Sequence, residues 1–273
     1  MSEPRPEPAA YRLRIEYDGT RFKGWQKLGA DQKVRTVTDV LTAALEKGGV
    51  KVLALVGSGR TDAGVHAVGQ VAHLQVPGPG LPPDRLRRLL DEHLPSDVAV
   101  PVVDFASPRF HARHDAVDRT YVYQVSRRHT AIARHFVWPV AGELNVDRMA
   151  RAWEAFEGFH DVSAFAAMSK HDDPHCEIRR CEIAEDGAVV LLRTTASHFL
   201  RRQARRMVGA AVRCGLGHEE PGRIAADLLT PTPEANRRWG ELAAPPDGLF
   251  LEYVRYDGEP EVGPLRALTP VNA

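Results

Sequence analysis

The sequence is poor in the features that mark several large classes of protein. It has three cysteines, an odd number that cannot form a closed disulfide framework, and their scarcity predicts a reducing compartment. No apolar run approaches the roughly 20 residues that a membrane-spanning helix requires. Residues 1–10 contain three prolines and two acidic residues. They lack the order of a signal peptide, in which a basic stretch precedes an apolar one. We therefore expect a cytoplasmic protein with a short disordered lead-in over residues 1–10.

The sequence also lacks net charge, because 36 basic residues balance 36 acidic ones, and this alone argues against a nucleic-acid binder. The charges are unevenly distributed, however. Residues 193–213 hold six arginines and no acid, residues 109–135 hold six arginines against two acids, and the acids collect over residues 214–273. The planar arginine guanidinium binds phosphate through two donors at once and stacks on bases. The pattern predicts either a phosphate-binding surface or a solvated, arginine-rich helix face.

Length and composition are those of an ordinary globular protein of about two domains. In the first half, strand and helix patterns follow the order β-α-β-β-α-β, which is the ferredoxin-like arrangement. Thr36 and Asp39 form a capping-box pattern ahead of apolar residues at helical spacing. The predicted strands are 11–17, 51–56, 70–76 and 98–105, and the predicted helices begin near Thr36 and Pro82.

The second half repeats this order. The predicted strands are 120–125, 177–183, 188–195 and 249–256, and the predicted helices are one from about Asp147 and an arginine-rich one over 199–214. Residues 221–229 predict an extra short helix and residues 231–246 a loop. We place the domain boundary near residue 108, which gives domains over 11–108 and 109–273. The predicted fold is α+β, with two ferredoxin-like halves whose antiparallel sheets join and leave a catalytic cleft between them.

The most informative stretch is the loop of residues 57–70, which lies between two predicted strands. Its glycines allow backbone conformations that are closed to other residues, so the loop can present Arg60 and Asp62 in a fixed arrangement. Three interpretations remain open from the residues alone. Asp62 is a catalytic carboxylate, or it satisfies backbone amides in a tight turn, or the loop binds phosphate. The last lacks the usual Gly-Lys-Ser/Thr ending.

This loop resembles the signature of the tRNA pseudouridine synthase A family, and Arg60–Ala67 is its highly specific core. Further stretches resemble other motifs of that family in the right order, so that the resemblance spans roughly residues 11–256. They are Tyr17–Thr20 with Gly24–Gln26, Phe110–Arg113 with Arg119–Tyr123, Ser163–Phe165, Phe199–Leu200 with Arg205 and Gly209, and Pro245 with Gly248, Leu249, Leu251, Val254 and Tyr256.

The resemblance implies a tRNA-modifying isomerase. Members of the family make pseudouridine at positions 38–40 of the anticodon stem-loop by breaking the C1′–N1 bond, turning the uracil and rejoining it through C5. They need no metal, nucleotide or redox cofactor, and they typically form homodimers. By the same resemblance Asp62 is the nucleophile at ribose C1′ or uracil C6, or else a base at the 2′ position.

The resemblance also assigns partners to Asp62. Arg205 pairs with it from the other half of the chain and favours its ionised form. Arg60 fills the space that a flipped uridine leaves, Tyr121 stacks on the uracil and assists removal of the C5 proton, and Leu249 lines the pocket. The alternatives are a phosphate contact for Arg205 and plain core positions for Tyr121 and Leu249. Four other arginines are predicted to be phosphate contacts or plain surface: Arg201, Arg202, Arg206 and Arg213.

Other patterns are weaker. The polar residues between His171 and Cys181 fit no common zinc-finger spacing, so they predict a mobile polar loop. We expect His66 and His73 to make structural hydrogen bonds rather than to act as general bases. A non-catalytic RNA-binding module is the main alternative function, but the chain lacks the aromatic sheet-face motif of such modules. A metal-dependent nuclease would need clustered carboxylates, and the loop has only Asp62.

Overall fold

A computed structural model describes residues 7–26 and 34–271, and the chain divides into two compact units. Unit 1 comprises Met1–Val117 with Leu251–Glu259, and unit 2 comprises Asp118–Phe250 with Pro260–Ala273. The division therefore falls at residue 117 rather than near 108, and a late strand returns to the first unit. The lead-in predicted over 1–10 begins on residues outside the described ones, and Ala9 and Ala10 already belong to a strand.

Unit 1 contains the predicted β-α-β-β-α-β order. Its elements are β1 (Ala9–Tyr17), α1 (Val37–Lys47), β2 (Ala54–Gly57), β3 (His66–Val76), α2 (Pro83–His93) and β4 (Val98–Phe105). The strands lie in the order β4-β1-β3-β2, and each of these pairs is antiparallel. The class and order predicted for this half are confirmed.

Local chemistry explains these elements. Tyr11, Leu13 and Ile15 of β1 are completely buried, whereas the residues between them are not, as expected of a half-buried strand. Helix α1 begins where the capping box predicts, because Thr36 Oγ1 accepts the amide of Asp39 at 3.3 Å and donates to its carboxylate at 2.7 Å.

Unit 2 follows the same order with additions. Its elements are β5 (Ala116–Ser126), β6 (Trp138–Pro139), α3 (Val146–Glu154), β7 (Gly158–Asp161), β8 (His175–Asp186), β9 (Val189–Ala196), α4 (Gln203–Gly215), α5 (Pro221–Leu229), α6 (Pro233–Glu241) and β10 (Leu249–Tyr256). The first two residues of β5 and the last six residues of β10 belong to unit 1. The strand order is β5-β9-β8-β7 with antiparallel pairs, and β6 pairs in parallel with β5. The α+β class is confirmed, while the joining of the two halves and the cleft between them stay predictions.

Two predictions for unit 2 are wrong in detail. Residues 231–246 were expected to form a loop but contain α6, because Thr232 Oγ1 caps the helix by accepting the amide of Ala235 at 3.1 Å and Pro233 stands in its first turn. The arginine-rich helix was expected from residue 199 but begins at Gln203. Arg202 precedes it with φ of 61°, the only non-glycine residue with positive φ among those described.

Among residues 7–26 and 34–271, none of the helices combines the length and the apolar character that a membrane span requires. All three cysteines are free and buried.

Candidate active site

The loop between β2 and β3 is held close to the segment that follows β1. Gly24 has φ of 101°, and a Cβ there would lie 2.7 Å from the Thr61 carbonyl oxygen. The next residue, Trp25, donates its backbone amide to that oxygen at 3.1 Å. Its ring lies against Gly57, where a Cβ would come within 2.6 Å of it. Glycine at 24 and 57 therefore permits a contact that fixes one side of the loop.

Buried polar side chains hold the loop from within unit 1. The hydroxyl groups of Tyr17 and Thr61 are 2.7 Å apart, and both side chains are buried. Gln70 Nε2 donates to the Gly59 carbonyl at 2.9 Å, while Gln70 Oε1 accepts the Ser58 hydroxyl at 2.8 Å. These bonds engage residues 58, 59 and 61, which flank Arg60 on both sides.

Arg60 and Asp62 are the charged residues of this loop. The Arg60 side chain is exposed and Asp62 is half-buried. The turn after Asp62 is closed by its backbone carbonyl, which accepts the Val65 amide at 3.2 Å. The hydrogen bond of the turn thus uses the Asp62 backbone and not its carboxylate.

His66 and His73 make structural hydrogen bonds, as predicted. His66 is buried, and its Nδ1 accepts the Gly19 amide at 2.9 Å. Because this nitrogen is an acceptor, its 3.2 Å contact with Asp18 Oδ1 is not an ion pair. His73 Nδ1 accepts the Ala112 amide at 3.1 Å, and burial lowers the pKa of His73.

In unit 2, Arg205 lies half-buried in the first turn of α4. Its Nε donates to the Ala244 carbonyl at 2.7 Å, and the Ala244 amide donates back to the Arg205 carbonyl at 2.9 Å. The segment before Ala244 packs directly on α4, since a Cβ on Gly209 would come within 1.9 Å of the Leu242 carbonyl oxygen. The direction of the Arg205 guanidinium is therefore fixed by a backbone segment.

Tyr121 and Leu249 are also in unit 2 and are buried. Tyr121 lies in β5 and meets the Phe199 ring edge-on, with centroids 5.0 Å apart. Leu249 is the first residue of β10 and directly follows Gly248. A Cβ on Gly248 would lie 2.6 Å from the Tyr123 ring. Of the predicted site residues, unit 1 brings together Arg60 and Asp62, and unit 2 contains Tyr121, Arg205 and Leu249.

The arginine-rich segments are less exposed than their charge suggests. Arg206 was predicted to contact phosphate or lie on the surface, and this is wrong, because it is buried and donates to the carbonyls of Ala166 at 2.8 Å and Asn236 at 3.3 Å. Burial lowers its pKa, and the nearby Arg202 and Arg201 add to the effect. The exposed arginines of the two segments are Arg109, Arg113, Arg127, Arg128, Arg134, Arg201 and Arg202.

The polar stretch from His171 to Cys181 does not gather metal ligands. Cys176 and Cys181 lie in β8, where burial raises the pKa of both thiols. The Cys176 thiol donates to the His198 carbonyl at 3.0 Å. Within the part of the chain that the structure describes, no group of three or more His, Cys, Asp or Glu side chains is placed to hold a metal ion.

Sequence reasoning gave Tyr17, Thr61, Gln70 and Ala244 no role at the site. One signal was available, because Gln70 is a polar residue in a strand whose other members are mostly apolar. The contact of Tyr17 with Thr61 joins residues 44 positions apart, and no local pattern reports it.

Comparisons with known proteins agree with these features. A family model described as tRNA pseudouridine synthase matches residues 14–115 and 152–257. A tRNA pseudouridine synthase A from Bradyrhizobium sp. (strain BTAi1) is 37% identical over 250 residues, and another from Bacillus sp. (strain KSM-64) is 32% identical over 249 residues. Each match covers 90% of this chain and 99% of the relative. A solved Cbf5-Nop10-Gar1 complex matches at 12% identity over 74% of this chain and 45% of that chain, with a TM-score of 0.35, too low to support an argument.

Proposed function

Because the chain belongs to the tRNA pseudouridine synthase family, it is a tRNA-modifying isomerase, and we propose that it acts on uridines 38–40 of the anticodon stem-loop. The observation that carries the proposal is the loop of unit 1. It presents a half-buried Asp62 beside an exposed Arg60, while buried hydrogen bonds hold the residues around them. Such a loop provides a carboxylate in a defined position, which the reaction needs.

The reaction rearranges bonds without net gain or loss of atoms. The C1′–N1 bond breaks, the uracil turns, and a C1′–C5 bond forms while C5 loses a proton and N1 gains one. Asp62 attacks C1′ or C6, or removes a proton at the 2′ carbon. On each route the carboxylate is ionised and largely shielded from water. The family assignment and this loop favour catalysis over a non-catalytic RNA-binding module.

Arg205 is the proposed partner of Asp62. A guanidinium presents a planar pair of donors that matches a carboxylate, and its charge favours the ionised acid. The bond from Arg205 Nε to the Ala244 carbonyl supports this role, because a guanidinium held by a backbone segment can orient what it binds.

The target uridine must leave its stack before Asp62 can reach it. Arg60 is the side chain proposed to occupy the vacated space, and its exposure is consistent with that role. Tyr121 and Leu249 are proposed to enclose the uracil, with the Tyr121 hydroxyl assisting removal of the C5 proton. Their burial supports an apolar pocket wall. The exposed arginines are proposed to contact phosphates, and a homodimer and a cytoplasmic location remain proposals as well.

Product mapping on an unmodified tRNA transcript tests the proposed function. We expect pseudouridine at positions 38, 39 or 40 wherever the transcript carries uridine there. Transcripts with cytidine at each of these positions in turn serve as matched controls and should lose only the corresponding product. Absence of product on every tRNA would contradict the reaction, and product only outside the anticodon stem-loop would contradict the target.

A further inference from the structure

Four buried polar side chains, two in the loop and two in the strands beneath it, have no part in the proposed chemistry. Tyr17, Ser58, Thr61 and Gln70 are all buried, and Gln70 has no exposed surface. A buried polar group destabilises a fold unless its hydrogen bonds are satisfied, so such groups persist in a core only when they form a closed network. Here the four side chains bond to one another and to the loop backbone.

We propose that Tyr17, Thr61 and Gln70, with Ser58 as their neighbour, are positioning residues that set where Asp62 and Arg60 stand. This inference rests on the proposed catalytic role of Asp62. It goes beyond that role because the side chains that hold Asp62 and Arg60 in position touch neither the substrate nor the reacting atoms.

The network holds the loop on both sides of Arg60. On the N-terminal side, Gln70 binds the Ser58 hydroxyl and the Gly59 carbonyl through the two ends of its amide. On the C-terminal side, the Tyr17 hydroxyl binds the side chain of Thr61, the residue that precedes Asp62. Freedom of the backbone at Arg60 and Asp62 is therefore limited by bonds to two strands of the sheet, β1 and β3.

The two sides are also joined to each other. The Gln70 side chain hydrogen-bonds the Tyr17 hydroxyl, so one amide bridges both anchors. A tyrosine hydroxyl is protonated at neutral pH and can donate, and burial raises the pKa of Tyr17 further. Loss of the Tyr17 hydroxyl would leave both Gln70 and Thr61 short of a partner in a buried site.

The chain offers a matched control on the same strand. Tyr11 is completely buried in β1 on the same side of the sheet as Tyr17, and its hydroxyl donates to the Leu81 carbonyl at 2.6 Å. Tyr11→Phe and Tyr17→Phe therefore each delete a tyrosine hydroxyl from β1, although the Tyr11 bond to a carbonyl is part-buried and the Tyr17 hydroxyl is buried with two side-chain partners. They differ in whether that bond leads to the loop.

The experiment measures single-turnover rate at saturating tRNA, tRNA affinity and thermal stability for the two variants. We expect Tyr17→Phe to lose more stability than Tyr11→Phe, because it leaves two buried partners unsatisfied, and we expect neither variant to change affinity. Tyr17→Phe should lower the rate about 10²-fold, the cost typical of misplacing a catalytic group by about 1 Å, and Tyr11→Phe should leave it unchanged. Equal rates for the two variants would overturn the proposal.

Thr61 supplies a second test that is independent of Tyr17. Thr61→Ser keeps the hydroxyl and should retain the wild-type rate, whereas the nearly isosteric Thr61→Val removes it and should resemble Tyr17→Phe. A Thr61→Val protein with the wild-type rate would show that the hydroxyl does not position the loop.

Amide hydrogen exchange of residues 59–65 separates failure of this inference from failure of the proposed function. Tyr17→Phe should speed exchange there while Tyr11→Phe does not, and this holds whether or not any tRNA is modified. Wild-type activity with unchanged exchange in Tyr17→Phe would contradict the network alone. Faster exchange in a chain that makes no pseudouridine would contradict the function alone.

Discussion

The loop between β2 and β3, residues 58–65, and helix α4 both carry residues proposed to act on tRNA, but they bury opposite kinds of side chain. In the loop, uncharged polar side chains are buried and the charged Arg60 is exposed. In α4, the charged Arg206 is buried and donates to backbone carbonyls, and Arg205 donates to another. In the loop, buried uncharged side chains hold the backbone that carries Arg60 and Asp62. In α4, the guanidinium groups of Arg205 and Arg206 instead bind backbone carbonyls of neighbouring segments.

This difference shows that the number of arginines in a segment does not predict how many of them are available to bind phosphate. Six arginines over residues 193–213 suggest one continuous basic surface, yet Arg193 and Arg206 are buried and bound to backbone carbonyls. An arginine with satisfied carbonyl partners in the core stabilises the fold, and it contributes little to phosphate binding.

The largest effect is expected in the loop. Asp62→Asn is nearly isosteric but removes the charge and the nucleophile, so the single-turnover rate should fall by at least about 10³-fold. Affinity for tRNA should change little, because phosphate contacts dominate it. Rate and affinity measured on one tRNA transcript check both statements. A variant that keeps more than about a tenth of wild-type turnover would show that Asp62 is not the catalytic carboxylate.

The next effect separates two arginines near the start of α4. Arg206→Met should lower the free energy of unfolding by about 1–3 kcal/mol, because buried carbonyls lose a donor, and should leave the salt dependence of tRNA binding unchanged. Arg201→Met should change stability by less than about 0.5 kcal/mol and lower the slope of log affinity against log salt by about 1.

Denaturant unfolding and binding over a tenfold salt range measure these effects. If Arg206→Met altered the salt slope as Arg201→Met does, the buried arginine would be a phosphate contact after all.

The smallest effect concerns pH and unit 1. Burial lowers the pKa of His73, the neighbouring His111 lowers it further and Asp115 opposes them. The unfolded chain therefore takes up this proton first, starting near pH 6.5, so the contribution of His73 to stability should be complete above that pH and be lost progressively below it. His73→Asn keeps an acceptor for the Ala112 amide without titrating, and it should flatten the curve of unfolding free energy between pH 5 and 7. Parallel curves for the two proteins would contradict this.

Much of the fold follows from local sequence. The capping box at Thr36, the alternation in β1 and the strand of residues 249–256 all lie where the pattern predicts them. The start of β3 does not follow locally. Gly69 looks like part of a loop motif, but it lies in β3, where glycine is required because a Cβ would be 2.1 Å from the Glu252 carbonyl oxygen. Such a contact depends on residues far along the chain.

The candidate site likewise has a part that local sequence predicts and a part that depends on distant residues. Arg60 and Asp62 stand out because the motif places them between glycines in one short loop. The side chains beneath them could not be predicted, because Tyr17 looks like any other member of an alternating strand until it meets Thr61. The arginines of α4 could not be sorted either, since burial of Arg206 depends on α6 and on the segment around Ala166, which are distant in sequence.

The central proposal is that Asp62 of the loop and Arg205 of helix α4 act together in catalysis. Arg205→Lys tests it most directly, because lysine keeps the charge but loses the planar fork that orients a carboxylate. The account predicts a single-turnover rate at saturating tRNA about 10²-fold below wild type, with the dissociation constant for tRNA within about twofold. A wild-type rate at saturating tRNA together with weakened affinity would make Arg205 a phosphate contact and contradict the claim.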